Sequence, residues 1–343
     1  MRAQHHPAGG CRHPSADTSE GDPLRAEPGG ERPWALVLAG GEGRRLQSLT
    51  RTITGAPIPK QYCRIVGDQS LLEATLVRIG PLVPKEQTLV VVNQSHLHLA
   101  RPQLRGLPRE NVLVQPENRD TGPGIVFGLL HLAARRPRAP VVVFPSDHYI
   151  DDEPVFRAHV RRAARLVDRW PAKIILLGIR ATHAEPGYGY IEPGQGIAMP
   201  GHESPAAYEV KAFHEKPSVE LALHLQQVGG LWNSFVMVFR VSRLLALLQR
   251  RRRADVESLR SVTDSGASYE GIPGWNFSAG FLARVPRQLA VVPVEGVFWS
   301  DWGTPEAVEQ TLARLRIEPI WRERTPSTHP GGSEKRSAAC AGE

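Results

Sequence analysis

The sequence is poor in cysteine and has no long hydrophobic run. Only three of its 343 residues are cysteines. Cys11 and Cys340 lie near the two ends of the chain, and no CxxC pair exists, so we expect neither a disulfide-bonded fold nor a zinc or redox motif. The longest apolar run, at 173–179, is too short to cross a bilayer, and the N-terminus lacks the apolar segment of a signal peptide. These absences exclude a membrane protein and a secreted disulfide scaffold, and they make the cytoplasm the expected compartment.

Positive charge is moderately in excess, and nearly all of the excess is arginine. The chain carries 42 Lys+Arg against 35 Asp+Glu, a formal net charge of +7, with 41% hydrophobic residues that indicate a globular protein. The densest cluster, at 250–253, follows an apolar helical stretch, where cations complement the helix dipole. Because no aromatic residues are interleaved with it, we interpret this cluster as a solvated helix end and not as a nucleic-acid-binding surface.

Apolar, β-branched segments alternate with helical stretches over 34–320. Tails at 1–33 and 321–343 are polar and rich in small residues, which predicts disorder. The patterns predict strands at 34–38, 88–92, 111–114, 141–144 and 173–179, and helices at 125–134 and 156–167. This alternation predicts an α/β fold with a doubly wound sheet covered on both faces. Strands at 207–213, 231–239 and 289–293, separated by irregular connections, predict a mixed sheet with a substrate-binding extension.

A glycine-rich loop follows the first predicted strand. Its three glycines, Gly40, Gly41 and Gly43, would let backbone amides approach an anion closely, and Arg45 would add positive charge. The loop is neither a P-loop nor a clean dinucleotide-binding fingerprint. Taken alone, it could be a tight strand-to-helix turn, and Lys60 in the following Pro-Lys-Gln could be an ordinary loop lysine.

Further motifs follow in order along the chain. They read QPENRDTGP at 115–123, PSDH at 145–148, GYGYIE at 187–192, FHEKP at 213–217, WNS at 232–234 and WSDWG at 299–303. Together with the loop and Pro-Lys-Gln, this series resembles the sugar-1-phosphate nucleotidyltransferases and, more narrowly, the mannose-1-phosphate guanylyltransferases. The resemblance covers about 36–303. It implies a Rossmann-like doubly wound mixed sheet of the nucleotidyltransferase type with a sugar-binding extension, forming one catalytic domain over 34–320.

The resemblance also implies roles for individual residues. Asp147 and Asp301 would hold Mg²⁺, which favours one or two carboxylates plus phosphate oxygens, and Arg45 and Lys60 would be catalytic. The implied nucleotide-binding residues are Ala39, Gly40, Gly41, Gly43, Gln115, Gly122 and Pro123. The implied sugar-phosphate-binding residues are Gly189, Tyr190, Glu192, Glu215, Lys216 and Asn233.

Several of these positions also have a purely structural interpretation. Asp147 could cap a helix or a turn, and Asp301 could be an N-cap a few residues ahead of a helix at Pro305. The segment 187–192 is too glycine-rich for a helix or regular strand and could be a hairpin turn, and Glu215 with Lys216 could be solvent-exposed decoration. His96 and His98 have no third ligand nearby, so a surface role is favoured over a metal site.

The implied reaction is attack by an oxygen of mannose 1-phosphate on the α-phosphate of GTP, giving GDP-mannose and pyrophosphate. GTP and mannose 1-phosphate are therefore the expected partners, with no nucleic acid or membrane, and a homo-oligomer is possible. A single activity is expected, because no C-terminal isomerase domain of the bifunctional members follows.

Four features depart from the family pattern: Arg44 and Asp120 replace Thr and Asn, Phe235 replaces Gly, and the segment 268–285 is unrecognisable. These departures leave open another nucleotide or sugar, or a non-catalytic nucleotide-sugar-binding regulatory subunit.

Overall fold

The computed structural model describes residues 32–199 and 204–322, and its centre is a mixed sheet of nine strands. Of the tails predicted at 1–33 and 321–343, residues 1–31 and 323–343 lie outside the described residues. The strands are β1 Trp34–Leu38, β2 Thr88–Asn93, β3 Val112–Gln115, β4 Pro140–Pro145, β5 Tyr149–Ile150, β6 Ile174–Arg180, β7 Gly189–Ile197, β8 Ala207–Glu215, β9 Leu231–Arg240, β10 Leu289–Val294 and β11 Trp299–Ser300. The strands predicted from sequence fall within two residues of these bounds.

The sheet combines a parallel half with a half in which parallel and antiparallel pairs are mixed. Its order is β3-β2-β1-β4-β9-β6-β10-β8-β7, and β5 and β11 form a separate two-stranded sheet. β1, β2, β3 and β4 pair in parallel, as do β6 and β10, whereas β9 is antiparallel to both β4 and β6. The mixed character predicted for the later part of the chain is therefore confirmed.

Helices cover both faces of the sheet, as a doubly wound fold requires. They are α1 Gln47–Thr54, α2 Leu71–Ile79, α3 Leu97–Gln103, α4 Thr121–Arg135, α5 Glu153–Arg169, α6 Val219–Gln227, α7 Val241–Arg251, α8 Arg253–Ser265, α9 Phe277–Gly280 and α10 Pro305–Leu315. Alternate residues of β1 enter different cores: Leu36 packs with α4, α7 and α8, whereas Ala35 and Val37 pack with α2, α3 and α5.

Short polar signals set several helix starts. Ser70 and Glu73 form a capping box at the start of α2, and the Asp152 carboxylate accepts from the Val155 amide at the start of α5. Thr304 caps α10, with Pro305 as its first residue. The helix expected at Pro305 therefore begins there, and its N-cap is Thr304 and not Asp301.

Two sequence predictions are corrected by the fold. The segment at 187–192 was expected to be too glycine-rich for a regular strand, but β7 begins at Gly189, because β8 and β9 supply its hydrogen-bond partners. The predicted C-terminal tail from 321 begins too early. Ile320–Arg322 is a short 3-10 helix, and the Trp321 indole donates to the Ile65 carbonyl at 3.0 Å.

The arginine cluster lies at the end of α7 and the start of α8. Arg250 and Arg251 are exposed in the last turn of α7. Arg253 pairs with Glu257 at 2.6 Å, and the Arg252 guanidinium lies 4.3 Å from the centre of the Trp275 ring. Within 32–199 and 204–322, no helix is long and apolar enough to span a bilayer.

Candidate active site

A cleft of about 440 Å³ opens at the carboxyl ends of β1 and β4, beside β9. Open α/β sheets bind their ligands at this edge. Ten of the residues predicted to form the site line this cleft: Gly41, Gly43, Arg45, Lys60, Asp147, Gly189, Glu215, Lys216, Asn233 and Asp301. The structure thus brings residues from distant motifs to one place.

The glycine loop leaves β1 and turns sharply at Gly43. Gly43 has φ +61°, and a β-carbon there would lie 3.0 Å from the backbone nitrogen of Lys60. A residue with a side chain would therefore meet both an unfavourable backbone conformation and a close contact. By contrast, a β-carbon at Gly41 would meet no atom within 4 Å, so this part of the loop faces open space.

The carbonyl groups of the loop are held by side chains from other segments. The Gln61 amide donates to the carbonyls of Ala39 (3.0 Å) and Gly41 (2.8 Å), the Tyr62 hydroxyl donates to Ala39 (2.8 Å), and the Asn93 amide donates to Gly40 (2.7 Å). Among the described residues, the amides of the three loop glycines have no backbone acceptor. The loop therefore keeps its N–H groups available for an anion.

This arrangement explains why Pro-Lys-Gln accompanies the glycine loop. The sequence motifs predict roles for Gly40 and Lys60 but none for Gln61, Tyr62 or Asn93. The two acceptors of Gln61 lie about twenty residues earlier in the chain, so local sequence patterns do not show its role. The one available signal is that a long amide side chain follows the loop motif in the sequence.

Lys60 lies among oxygen atoms of the two motifs that carry the predicted metal ligands. Its side chain is buried, and its Nζ lies 3.3 Å from Asp147 Oδ2. It also donates to the backbone carbonyls of Asp301 and, at 3.1 Å, Trp302. Arg45 lies 3.8 Å from Asp301 Oδ2 and is more than half exposed. Lys60 thus joins the end of β4 to the segment after β11.

The charges around Asp147 keep it ionised. Burial alone would raise the pKa of this carboxyl, but the Lys60 ammonium and His148 outweigh burial, and the pKa of Asp147 lies below its ordinary value. The Asp301 carboxylate accepts from the Gly303 amide at 2.7 Å, which fixes its orientation. Two carboxylates are therefore presented at one end of the cleft.

This donor set fits a divalent cation that also binds phosphate. Asp147 and Asp301 supply two carboxylates beside open space, and Mg²⁺ is ordinarily held by one or two carboxylates plus substrate phosphates. In the part of the chain that the structure describes, no group of three or more His, Cys, Asp or Glu could hold a metal by itself. His96 instead lies edge-on to the Tyr62 ring, with 6.0 Å between ring centres.

The other half of the cleft is formed where β7, β8 and β9 lie side by side. Gly189 pairs with Glu215, and a β-carbon at Gly189 would lie 2.8 Å from Glu215 Oε2. The absence of a side chain at Gly189 therefore makes room for the Glu215 carboxylate. Burial raises the pKa of Glu215, although Lys216 opposes this effect. The Asn233 side chain lies beside them, with its amide nitrogen 3.4 Å from Ser278 Oγ.

Two of the predicted sugar contacts do not reach the cleft. Tyr190 is fully buried in the apolar core, and its hydroxyl accepts from the Glu185 amide at 2.8 Å. Glu192 pairs with Lys211 at 2.5 Å and lies 3.6 Å from His214. Because successive residues of a strand face opposite sides of the sheet, position 189 faces the cleft and Tyr190 faces the core. The aromatic residue of this motif that lines the cleft is instead Tyr188.

Five predicted nucleotide-binding residues lie behind the cleft and support it. They are Ala39, Gly40, Gln115, Gly122 and Pro123, none of which is in the cleft lining. The buried Gln115 side chain donates to Asn93 at 2.9 Å, and the same Asn93 holds the glycine loop. Gly122 packs so closely on Trp275 that a β-carbon would lie 2.3 Å from the indole ring.

The segment 268–285, which showed no family pattern, contributes to the site. Asn276 and Ser278 line the cleft, and the Asn276 side chain caps α9 by accepting from the Ala279 amide. Trp275 joins this segment to the start of α4, because its carbonyl accepts from the Gly122 amide at 3.0 Å. This segment therefore forms part of the wall of the cleft.

Backbone strain is concentrated around the cleft. Five residues other than glycine have positive φ in the described ranges: Asp120, Lys216, Phe235, Trp302 and Arg316. Lys216 and Phe235 line the cleft, and Asp120 and Trp302 each adjoin a residue that does. Arg316 caps the end of α10, away from the cleft. Such conformations cost about 1–3 kcal/mol each and are characteristic of functional sites.

Comparison with known proteins agrees with this picture. The nucleotidyl transferase family model matches residues 34–316. A curated relative from Escherichia coli O157:H7, mannose-1-phosphate guanylyltransferase 2, is 35% identical over 79% of this chain and 58% of its own length. The chain thus spans little more than half the length of that relative.

Solved structures show the same fold. One from Thermus thermophilus, described as a mannose-1-phosphate geranyltransferase, is 30% identical with a TM-score of 0.72, covering 82% of this chain and 79% of that one. A putative glucose-1-phosphate thymidylyltransferase from Bacillus anthracis, 12% identical with a TM-score of 0.53, covers 84% of this chain and 96% of that one and shares the fold. Because the family model spans most of the chain, this protein belongs to the nucleotidyl transferase family.

Proposed function

We propose that the chain transfers GMP from GTP to mannose 1-phosphate, with release of pyrophosphate. The observation that carries this proposal is the division of one cleft into two halves. One half has the glycine loop, Arg45, Lys60 and two carboxylates, and the other has Gly189, Glu215, Lys216 and Asn233. The first half suits a triphosphate, and the second suits a polyhydroxylated ligand that carries a phosphate.

The chemistry needs positioning and charge neutralisation more than proton transfer. An oxygen of the sugar phosphate, already an anion, forms a new P–O bond to the α-phosphorus, while the bond to the pyrophosphate leaving group breaks. No general base is therefore required, and alignment of the two substrates supplies much of the rate enhancement.

The residues of this chain act on the phosphates in distinct ways. The loop amides and the exposed Arg45 guanidinium would bind the triphosphate and the departing pyrophosphate. Lys60 would stabilise the negative charge that develops at the α-phosphate, since its ammonium is buried and fixed in place. Asp147 and Asp301 would hold Mg²⁺, which when bound supplies charge neutralisation on phosphate oxygens.

The second half of the cleft would bind the sugar phosphate. The Glu215 carboxylate and the Asn233 amide would take sugar hydroxyls, and Lys216 would take the phosphate. Asn233 Oδ1 already accepts from the Phe235 amide at 3.1 Å, and Nδ2 donates one hydrogen to Ser278 Oγ at 3.4 Å, which leaves its second hydrogen for a sugar hydroxyl. Lys216 is held at φ +48°, with its own amide donating to the Tyr188 carbonyl at 3.2 Å.

The choice of guanine and mannose rests on the names of relatives such as the guanylyltransferase from Escherichia coli. Phe235 in the cleft keeps a second candidate in view, a transferase of the same class that uses another sugar 1-phosphate. Both candidates use soluble phosphorylated metabolites, which supports the cytoplasm as the compartment.

Pyrophosphate release tests the proposal. Purified protein with Mg²⁺ is incubated with each nucleoside triphosphate and a panel of hexose 1-phosphates, and fastest release is expected with GTP and mannose 1-phosphate. Fastest release with another pair would favour the second candidate. Measurable GTP binding without release from any pair would refute an enzymatic role and favour a regulatory subunit.

A further inference from the structure

Phe235 has a backbone conformation that a phenylalanine does not ordinarily adopt. Its φ is +61°, the left-handed region, where a β-carbon is unfavourable and glycine is the usual residue. The side chain is half-buried, packs against the apolar core that contains Phe213 and Met237, and lines the cleft. A strained residue is thus retained where substrate would bind.

The conformation is imposed by a bulge in β9 and not by the phenyl ring. Pairing with β6 runs from Leu176 opposite Met237 to Gly178 opposite Asn233, so two steps along β6 correspond to four along β9. Ser234 Oγ donates to the Leu177 carbonyl at 2.6 Å and accepts from the Val236 amide at 3.2 Å. These bonds do not involve the side chain at 235, so any residue there would face the same backbone geometry.

The bulge places residue 235 between the end of the β4–β9 ladder and Asn233. The last pair of the β4–β9 ladder is Val143 with Met237, after which β4 continues towards Asp147 and β9 towards Phe235 and Asn233. The amide of Phe235 donates to Asn233 Oδ1 at 3.1 Å, and both residues line the cleft. Glu215 lies in the same half of the cleft.

We propose that Phe235 is a specificity-determining residue that limits the size of the sugar 1-phosphate. This inference rests on the proposed function and deepens it. The side chain occupies volume at the cleft wall that glycine would leave open, and it has no hydrogen-bonding group for a polar substituent. A hexose 1-phosphate carrying an acetamido group would lack space there, and burying its amide without a hydrogen-bond partner would cost binding free energy.

Two sugar phosphates that differ only in this group provide the probe. Dissociation constants of glucose 1-phosphate and N-acetylglucosamine 1-phosphate are measured by titration calorimetry, which does not depend on turnover. In Phe235→Ala and Phe235→Gly, the affinity for the acetamido sugar relative to the plain hexose is expected to rise at least about tenfold over the parent protein. Phe235→Leu, which keeps apolar bulk, is expected to show a smaller rise.

The variants also separate the ring from the strain. Phe235→Gly removes both and Phe235→Ala removes only the ring, so the glycine variant should unfold at a higher temperature than the alanine variant. Arg316→Gly is the matched control. Arg316 is exposed at φ +54°, away from the cleft, and glycine there should raise the unfolding temperature without changing the affinity ratio.

An unchanged affinity ratio in both Phe235→Ala and Phe235→Gly would overturn the proposal, and so would an equal weakening of both sugars, which would indicate a stacking surface. A shifted ratio in a protein that releases no pyrophosphate would refute the proposed activity and leave the inference standing. Normal release with an unchanged ratio would refute the inference alone.

Discussion

The Gln61 side chain offers a direct test of how the nucleotide loop is held. Its amide is buried and donates to two loop carbonyls, those of Ala39 and Gly41. Gln61→Met keeps the length of the side chain and removes both donors. We therefore expect a loop that is less ordered in the free protein and a nucleotide that binds more weakly.

The size of the effect follows from the two bonds. Ala39 keeps the hydroxyl of Tyr62 as a donor, and Gly41 is exposed, so its carbonyl can bind water. Because neither carbonyl is left without a partner, the loss of each hydrogen bond should cost the loop only about 1 kcal/mol of stability, or about 2 kcal/mol in total. If this loss reduces the population of the ordered loop, GTP affinity falls by up to about 30-fold.

Asn111 provides a matched control. Its buried amide also donates to two backbone carbonyls, those of Lys85 (3.2 Å) and Glu86 (3.0 Å), before β2 and far from the loop. Asn111→Leu should lower the free energy of unfolding in urea and leave GTP affinity unchanged. Equal affinity of Gln61→Met and Asn111→Leu for GTP, titrated without sugar phosphate, would refute the role of Gln61 in holding the loop.

Three further predictions concern both halves of the cleft and its support. Asp301→Asn removes a negative charge that would hold Mg²⁺, so pyrophosphate release should fall to a small fraction. The variant keeps an oxygen that can accept from the Gly303 amide, so the unfolding temperature should stay the same. Full activity would remove Asp301 from the metal site. Burial raises the pKa of Glu215, so ionising this carboxyl in the folded protein lowers the free energy of unfolding. This loss of stability is absent below the pKa of the unfolded state and grows as the pH rises towards the pKa of the folded state. Glu215→Gln should therefore raise the unfolding temperature at pH 7, by an amount that shrinks towards pH 4 in calorimetry, and an advantage that grows on acidification would contradict this. Gly122→Ala should lower the free energy of unfolding in urea by about 1–3 kcal/mol, because its β-carbon would meet Trp275. Gly124→Ala lies in the same helix, where a β-carbon makes only an ordinary contact at 3.5 Å, and it should be tolerated. Equal stability of the two variants would disprove the clash.

The fold was largely predictable because its strands are short apolar runs between helices of clear periodicity. β1 lies at the predicted residues, and the other predicted strands differ from the observed ones only at their ends. β7 was missed because Gly189, Pro193 and Gly196 have low strand propensity. Pairing with β8 on one side, interrupted by shifts in register, supplies what the local sequence lacks.

The candidate site was predictable where residues follow directly from strand ends, and less so where side chains cross between segments. Asp147 follows β4 and the glycine loop follows β1, so parallel pairing brings them to one edge. The sequence motif at β7 could not show which of its residues face the cleft, because a shift of one residue reverses every side chain. Tyr190 and Glu192 were assigned to the sugar for that reason.

The strained residues connect the departures from the family pattern to the architecture of the cleft. Asp120 has φ +68°, and its carboxylate caps α4 by accepting from the Thr121 amide. Asn would supply a side-chain oxygen at the same place, so the replacement of Asn by Asp keeps the cap. At Phe235 the neighbouring hydrogen bonds fix the bulge but give the phenyl ring itself no compensating bond. The side chain packs against the apolar core, but glycine would relieve the strain, so a phenylalanine at this position calls for a further requirement. Since Phe235 borders the half of the cleft that would bind the sugar, sugar selection is the requirement that its ring can meet.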